Sequence, residues 1–241
     1  MVLNGRAGMI NDRDEDILTD LFLAGCLTTS QIQRMYFSAH STAKGRMYKL
    51  HKKGYVNFEL FEVGENLWFL TKEAFLRETR NAESEETQPF SPPKERTAHY
   101  TKINDLYVKA APMLDSIVGE WPEWHWLNEY RARRGYERAG RDRAYRPDAE
   151  LRFRDHTFII ERQTAEARAS RGILLSRMAD YADYVEHITG QRETTQVLWA
   201  CDTERDMNYA REGGEKYGLF TVAGDVENIA EHIEGTALRL K

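Results

Sequence analysis

The chain has 241 residues, of which 41% are hydrophobic and 30% charged, and its formal net charge is −5. This composition is typical of a globular protein with one large or two small domains and excludes a wholly disordered chain. The negative net charge argues against a protein that coats nucleic acid with its whole surface. No apolar run approaches the roughly 20 residues that a bilayer span needs, and the N-terminus lacks the apolar core of a signal peptide. We therefore expect a cytoplasmic protein with no membrane partner.

The first 80 residues predict a winged helix-turn-helix domain. Apolar residues with a helical period alternate with glycines that end helices and with polar residues that cap them. The predicted helices are Asp12–Ala24, a short one capped by Thr28 or Thr29, Ala39–Lys53 capped by Ser38, and one from the cap Thr71 to about Arg80, and the predicted strands are Tyr55–Phe61 and Leu67–Leu70. Three helices, a hairpin and a further helix form the order of a winged helix.

The third predicted helix is the candidate DNA-reading element. Ala43, Met47 and Leu50 recur at spacings of four and three, so they face the core, and no acid lies between Ala39 and Lys53. Small, polar and basic residues on the rest of the helix suit the major groove of double-stranded DNA. The residues predicted to contact DNA are Ser41, Thr42, Lys44, Arg46, Tyr48, Lys49 and Lys52. Two alternatives stay open: an ordinary solvated face, and a winged helix that binds another protein.

A change of composition separates this domain from the rest of the chain. Residues 81–97 are rich in Glu, Ser and Pro and predict a linker, and residues 98–241 predict a second domain. Its predicted helices are His99–Ala111, Ala169–Gly190, Glu204–Gly218 and Asp225–Ile233, and its predicted strands are Trp121–Tyr130, Ala149–Phe153, Thr157–Ile160, Gln196–Cys201 and Leu219–Val222. This order implies an α/β (α+β) fold class with a mixed sheet and helices on both of its sides.

The stretch Arg146–Gln163 predicts a hairpin with two acids at one end. Its strands are antiparallel, so the start of the first lies beside the end of the second and Asp148 lies close to Glu161. Two carboxylates that converge at one end of a mixed sheet suit a magnesium-dependent phosphodiesterase. Each acid also has a simpler interpretation: Asp148 as a turn residue after proline, and Glu161 as an ion-pair partner of Arg146 or Arg162.

A basic segment, Arg131–Arg146, leads into this hairpin and is predicted to be a glycine-containing loop. Arginine binds phosphate and tyrosine stacks on bases, so the interleaving of these residue types suits a nucleic-acid backbone. Arg133 and Arg134 are therefore predicted DNA contacts. The alternative is a mobile, solvated loop.

These motifs resemble the PD-(D/E)XK nuclease-like superfamily, and the whole chain resembles the replication-relaxation family of plasmids, phages and integrative elements. The residues that carry the resemblance are His99, Asn104-Asp105-Leu106-Tyr107, Trp126 with Glu129, Arg146-Pro147-Asp148, and Phe158–Glu161 leading to a helix that ends near Tyr181. The family combines a winged helix with a nuclease-like domain. The resemblance implies a role in relaxation or mobilisation of plasmid DNA, or in its regulation.

For the site, the resemblance implies that Asp148 and Glu161 hold the metal, Mg²⁺ or Mn²⁺, if the site is active. Glu129 would be a third carboxylate, although a surface position is the simpler interpretation. Gln163 stands where the superfamily carries a lysine, and an amide lacks the positive charge that stabilises a developing negative charge. These four residues, Glu129, Asp148, Glu161 and Gln163, are the candidate catalytic set.

Three functions are compatible with these motifs. The first is a DNA-binding protein of a mobile element whose nuclease-like domain does not cleave. The second is an active metal-dependent endonuclease targeted by the winged helix, and the third is an adaptor that recruits replication or conjugation proteins. A homodimer is expected, because winged-helix readers often use two half-sites.

Overall fold

A computed structural model describes residues 10–62, 64–81, 97–119, 123–138, 140–165 and 170–240 of the chain. The chain divides into two compact units between Asn104 and Asp105. Most of the predicted linker, residues 82–96, and the predicted strand residue Trp121 lie outside the described residues. Among the helices of the described part, none has the length and apolar character needed to cross a bilayer.

The first unit combines helices with a three-stranded antiparallel sheet. Its elements are α1 (Asp12–Ala24), β1 (Leu27–Thr28), α2 (Thr29–Tyr36), α3 (His40–Lys52), β2 (Val56–Glu62), β3 (Glu65–Leu70), α4 (Lys72–Asn81) and the first part of α5 (Thr97–Ile117). The strand order is β1-β3-β2. The predicted sequence of three helices, a hairpin and a helix is present. Strand β1 is an addition, and two residues are too few to leave a periodic pattern.

Capping side chains fix where these helices begin. Asn11 caps α1 and Thr28 caps α2, each in a reciprocal capping box, and the Thr71 hydroxyl accepts a backbone hydrogen bond in the first turn of α4. The predicted cap Ser38 on the third helix is wrong. The chain stays extended through Ala39, which takes the N-cap position of α3 and offers no side-chain acceptor.

The core of the first unit fixes the orientation of α3. Ala43, Met47 and Leu50 have no exposed surface, as the spacing predicted, and they share the core with Ile17 of α1 and Trp68 of β3. Burying a side chain of the size of leucine or methionine stabilises the fold by roughly 1.5–3 kcal/mol. The side of α3 away from these residues is therefore held towards solvent.

The second unit is built on a mixed five-stranded sheet. Beyond the rest of α5, its elements are β4 (Trp124–Asn128), α6 (Glu129–Ala132), β5 (Arg134–Arg138), β6 (Arg141–Tyr145), β7 (Ala149–Phe153), β8 (His156–Gln163), α7 (Arg171–Tyr184) with a π-helical turn (Val185–Thr189), β9 (Thr195–Cys201), α8 (Glu204–Tyr217), β10 (Phe220–Gly224) and α9 (Val226–Leu240). The strand order is β10-β9-β8-β7-β4, with β4, β7 and β8 antiparallel and β8, β9 and β10 parallel. The predicted α/β class with a mixed sheet is confirmed.

Three features of this unit differ from the prediction. The basic segment Arg131–Arg146 is not a loop, because β5 and β6 pair there as a separate antiparallel hairpin after the short helix α6. Helix α5 continues through Pro112 instead of ending near it, and the fully buried Leu114 lies beyond the proline. Helix α9 continues seven residues past the predicted end at Ile233, to Leu240.

Helices cover both faces of the sheet. On one face, Ile159 of β8 belongs to a buried cluster with Leu174 and Met178 of α7. On the other face, Tyr107 of α5 packs against Trp126 of β4 with ring centroids 5.3 Å apart. Side chains of β7 and β8 that point towards α7 are therefore enclosed between sheet and helix, even where they are acidic.

Candidate functional site

The acids predicted from the hairpin lie together at one end of β7 and β8. Ala149 pairs with Ile160, so Asp148 and Glu161 take the adjoining positions on the two strands. Asp148 is 4% exposed and Glu161 has no exposed surface. The backbone N–H of Arg162 donates a hydrogen bond of 2.8 Å to Asp148 Oδ2, which ties the segment before β7 to the end of β8. The hairpin thus places two carboxylates in one buried region.

Glu161 is held by side chains from α7. The Tyr181 hydroxyl donates a hydrogen bond to Glu161 Oε1, and Arg177 Nη1 forms an ion pair with Oε2. Arg177 and Tyr181 are four residues apart, so they lie on the same side of the helix. The ion pair considered for Glu161 from the sequence has formed with Arg177, instead of with Arg146 or Arg162.

The ionisation of Glu161 is set by opposing effects. Burial and, next, the negative charge of Asp148 raise the pKa of Glu161, while Arg177 and the Tyr181 hydrogen bond lower it, and the first two effects prevail. Burial, followed by the charge of Glu161, raises the pKa of Tyr181 well above its ordinary value. Tyr181 is therefore a hydrogen-bond donor at neutral pH. The charge of Glu161 raises the pKa of Arg177, which stays cationic.

Gln163 and Arg162 point to opposite sides of β8. Gln163 shares the side of Glu161 and is 5% exposed. Arg162 donates a hydrogen bond of 2.9 Å to the backbone oxygen of Ala200 and pairs with Asp202. Strand β8 therefore offers an amide, and not a cation, on the side that carries Glu161.

Glu129 lies next to Asp148. It is the first residue of α6, directly after β4, and Asn128 pairs with Ala149 at the adjoining position of β7. One carboxylate oxygen of Glu129 and one of Asp148 lie within 4.8 Å of each other. Glu129, for which the sequence left both a surface and a site position open, is partly buried and lies beside Asp148.

A divalent metal ion held by Asp148 and Glu161 does not fit these side-chain positions. Mg²⁺ and Mn²⁺ bind carboxylate oxygens that are directed at the ion. Both oxygens of Glu161 already accept bonds from protein donors, and the guanidinium of Arg177 neutralises the carboxylate. One oxygen of Asp148 lies within 4.8 Å of one of Glu129. The metal site at Asp148 and Glu161 stays a prediction from the sequence.

The residues predicted to contact DNA lie unequally on α3. Ser41, Thr42, Lys49 and Lys52 are exposed, and together with the exposed Gly45 they follow one side of the helix. We call these five residues the α3 face. It combines small and hydroxyl side chains near the start of the helix with lysines near its end.

The other predicted contacts on α3 are turned towards their own unit. Arg46 pairs with Asp14 of α1, with Nε 2.5 Å from Oδ1. Tyr48 packs edge-on against Trp68, with ring centroids 5.3 Å apart. Lys44 Nζ donates a hydrogen bond of 3.3 Å to a backbone oxygen in the β2–β3 turn. These contacts give the three residues structural roles that residue type and helix position did not indicate.

Two arginines of the β5–β6 hairpin also lie beside acids of their own unit. Arg138 pairs with Asp183 of α7, and Arg134 lies 3.5 Å from the buried carboxylate of Glu150. Arg133, between α6 and β5, is exposed. Of the two DNA contacts predicted in this segment, Arg133 is thus open to solvent and Arg134 faces inward.

Comparison with known protein families gives an extensive match. The sequence profile of the replication-relaxation family matches residues 18–198, which is 181 of the 241 residues. No curated protein matches the sequence significantly. The profile match begins within α1 and ends within β9, so it includes parts of both units.

Two solved structures share distant similarity with the chain. Protein VC1899 from Vibrio cholerae is 11% identical and is aligned over 96% of this chain and 58% of its own, with a TM-score of 0.38. The restriction endonuclease FokI bound to DNA is 12% identical over 95% of this chain and 46% of its own, with a TM-score of 0.30. The chain spans about half the length of these structures, and at such TM-scores neither assigns a fold or an activity. The profile match, which covers most of the sequence, shows that the chain belongs to the replication-relaxation family.

Proposed function

We propose that this protein binds double-stranded DNA through the α3 face and that its second unit is a nuclease-like platform that does not cleave. In this proposal the protein serves the replication, relaxation or mobilisation of a mobile element, or its regulation. The observation that carries the proposal is the α3 face itself, an exposed and acid-free side of a helix whose opposite side is locked into the core.

The composition of the α3 face supports insertion into the major groove. An α-helix fits that groove, where short polar side chains reach base edges and lysines bind phosphates. Ser41 and Thr42 lie in the first turn of α3, and Lys49 and Lys52 lie in its last turns. Since Arg46 is engaged by Asp14, we assign the phosphate contacts to Lys49 and Lys52.

The β2–β3 hairpin supports the same assignment by its charge. Glu59 and Glu62 of β2 are exposed, and Leu60 between them is 83% exposed. Carboxylates repel phosphates, so a hairpin with these residues is unsuited to contact the DNA backbone. We infer that α3 enters the groove and that the hairpin stays away from the backbone.

The absence of cleavage is inferred from two features of the second unit. Gln163 replaces the lysine of the nuclease-like pattern and carries no charge. Glu161 is neutralised by Arg177 and accepts a hydrogen bond from Tyr181, so its oxygens are engaged within the protein. The amide of Gln163 and the already paired guanidinium of Arg177 offer little stabilisation to the negative charge that builds up during phosphodiester hydrolysis.

Gel shifts on DNA from the gene's own locus test the DNA-binding proposal. Lys49→Ala is expected to weaken binding and to reduce the slope of log affinity against log salt by about 1, as for one lost phosphate contact. Lys72→Ala is the matched control, because it removes one exposed lysine of the same unit from α4, outside the α3 face. Equal effects of the two substitutions would show that α3 is not the DNA-reading element and would favour the protein-binding adaptor.

A metal-dependent endonuclease is the second candidate, favoured by the approach of Asp148 and Glu129 oxygens to within 4.8 Å. Supercoiled plasmid incubated with Mg²⁺ or Mn²⁺ distinguishes the two. Nicking by the wild type that is lost in Asp148→Ala supports the endonuclease. Intact plasmid with both metals supports the non-cleaving platform.

The proposed partners follow from the DNA-binding role. We propose a homodimer on two half-sites, spaced by whole turns of the double helix, because paired readers reach higher affinity than one. Replication or conjugation proteins are further proposed partners. Sedimentation of the protein with and without a DNA fragment tests the dimer, which is refuted if one copy binds each fragment at saturation.

A further inference from the structure

An arginine lies on the buried side of α7. Leu174, Met178 and Tyr181 on this side are each at most 2% exposed. Arg177 shares their side of the helix, and its side chain is 40% exposed while its Nη1 reaches the fully buried Glu161. A charged group directed into a core needs a partner of opposite charge, because burial without one is strongly unfavourable. Helix α7 therefore delivers one permanent positive charge to the acidic end of the β7–β8 hairpin.

We propose that Arg177 is the resident cation of this acidic site. Its guanidinium lies against Glu161, where a divalent metal ion would otherwise bind. This inference rests on the proposed function, in which the second unit does not cleave DNA, and it names the residue that keeps metal away from Glu161. Arg177 acts as a positioning residue, because its guanidinium holds the Glu161 carboxylate.

The geometry makes the exchange of Arg177 for a metal ion unfavourable. A metal bound through both oxygens of Glu161 would displace the guanidinium and the Tyr181 hydroxyl, and one bound through a single oxygen would compete with the donor already there. The displaced arginine would remain on α7, where its charge repels the incoming ion. While the pair of Arg177 with Glu161 stands, the affinity of the site for divalent ions is low.

Removal of the Arg177 charge should open the site to metal. In Arg177→Gln, the side chain still reaches towards Glu161 but carries no charge, so the carboxylates of Glu161 and Asp148 lose their counter-ion. A buried group of acids without a counter-ion gains from any small cation that reaches it. Divalent binding should therefore appear in this variant. Arg177→Lys keeps the charge and should leave the site closed.

Mn²⁺ binding to the full-length protein without DNA tests the proposal, with free Mn²⁺ measured by electron paramagnetic resonance. Arg171→Gln is the matched control: it removes the same charge from α7 at an exposed position whose guanidinium contacts Glu212. We expect Arg177→Gln to take up Mn²⁺ roughly tenfold or more tightly than Arg171→Gln or the wild type, since a unit charge beside the site is gone. The gain should disappear when Glu161→Gln is added.

Two results would overturn the proposal: Arg177→Gln binding Mn²⁺ no more tightly than Arg171→Gln, or wild-type Mn²⁺ binding that Glu161→Gln abolishes. If Arg177→Gln fails to fold, the comparison of wild type with Glu161→Gln decides alone, because equal Mn²⁺ uptake supports the proposal and a loss refutes it. Failure of the DNA-binding proposal would appear in the gel shifts and would leave these Mn²⁺ measurements unchanged.

Discussion

Replacing Arg46 by alanine is expected to destabilise the first unit instead of removing a DNA contact. Arg46 of α3 is the ion-pair partner of Asp14 of α1, whose side chain has no exposed surface. Without the guanidinium, Asp14 keeps the hydrogen bond from the backbone N–H of Asn11 at 3.2 Å but remains a buried, uncompensated charge. The contact between α1 and α3 should loosen as a result.

The magnitude follows from the burial of the two partners. Removing one member of a fully buried ion pair costs roughly 3–5 kcal/mol. The Arg46 side chain is 26% exposed, so water already screens part of the interaction. Since the pair is only partly shielded and Asp14 keeps its capping bond, we expect a loss of about 2–3 kcal/mol in the free energy of unfolding.

The pH dependence of this pair has a definite sign. Burial raises the pKa of Asp14, but the hydrogen bonds from Arg46 and from the Asn11 backbone N–H, together with the charges of Arg46 and Lys53, bring the pKa below its ordinary value. Because the pKa of Asp14 is lower in the folded than in the unfolded chain, its ionised carboxylate stabilises the fold fully at pH values above the unfolded-state pKa of about 4. The stabilisation is lost as the pH falls through the folded pKa. Arg46→Ala should therefore destabilise most at neutral pH and least in acid.

Hydrogen exchange followed by mass spectrometry measures this effect in the full chain, because peptides from α1 and α3 report on the first unit alone. Lys49→Ala, on the same helix but exposed, is the control that should leave exchange unchanged. In an Asp14→Asn background the cost of Arg46→Ala should fall below about 1 kcal/mol, as expected for coupled partners. Unchanged protection in Arg46→Ala, together with a loss of DNA affinity like that of Lys49→Ala, would refute the structural role of Arg46.

Three further predictions concern other parts of the fold. Burial and the charge of Asp148 raise the folded pKa of Glu161, so the free energy of unfolding of the wild type falls as the pH rises above the ordinary glutamate pKa. In urea unfolding, the difference in this free energy between Glu161→Gln and wild type should therefore shift in favour of the variant as the pH rises from about 5 to about 8. A pH-independent difference would contradict this. Gly214→Ala should lower the free energy of unfolding by about 1–3 kcal/mol, because the new Cβ would overlap the Thr221 hydroxyl of β10. Gly172→Ala is the control and should raise the free energy of unfolding by about 0.5–1 kcal/mol, because its new Cβ would lie 3.8 Å from the nearest atom. Thr28→Ala removes the cap of α2 and should cost about 1 kcal/mol by thermal unfolding, and a loss near zero would show that water replaces the cap.

Sequence patterns correctly predicted the helices and hairpins that depend only on residues close together in the chain. The first helix, Asp12–Ala24, has the predicted bounds, because its acidic first turn and its terminal Gly25 act within a few residues. The hairpin that brings Asp148 beside Glu161 follows from strand alternation and the intervening turn alone. Such features need no knowledge of the rest of the chain.

The basic hairpin β5–β6 could not be predicted in this way. Its arginines have little preference for strands, and the pairing depends on contacts made elsewhere, such as Arg138 with Asp183 and the Tyr136 hydroxyl with the same carboxylate at 3.1 Å. Asp183 lies on α7, 45 residues after Arg138 in the chain. Residue type alone therefore indicated a solvated loop where tertiary contacts produce strands.

The role of Arg177 was missed although the sequence carried a signal for it. In the predicted helix Ala169–Gly190, Leu174, Met178 and Tyr181 recur at spacings of four and three, and Arg177 falls on the same side. A charged residue within an apolar stripe indicates a buried partner of opposite charge. The partner, Glu161, was already a candidate site residue, so the two observations could have been joined.

The central position of β8 has a consequence for how the second unit assembles. Strand β8 pairs on one side with its immediate neighbour β7 and on the other with β9, which follows only after the whole of α7 has been made. During synthesis the β7–β8 hairpin can form first, but the edge carrying Phe158, Ile159 and Ile160 stays open until the parallel partner arrives. An open apolar strand edge pairs readily with other chains. Between the emergence of β8 and of β9 from the ribosome, the growing chain therefore carries an unpaired apolar strand edge.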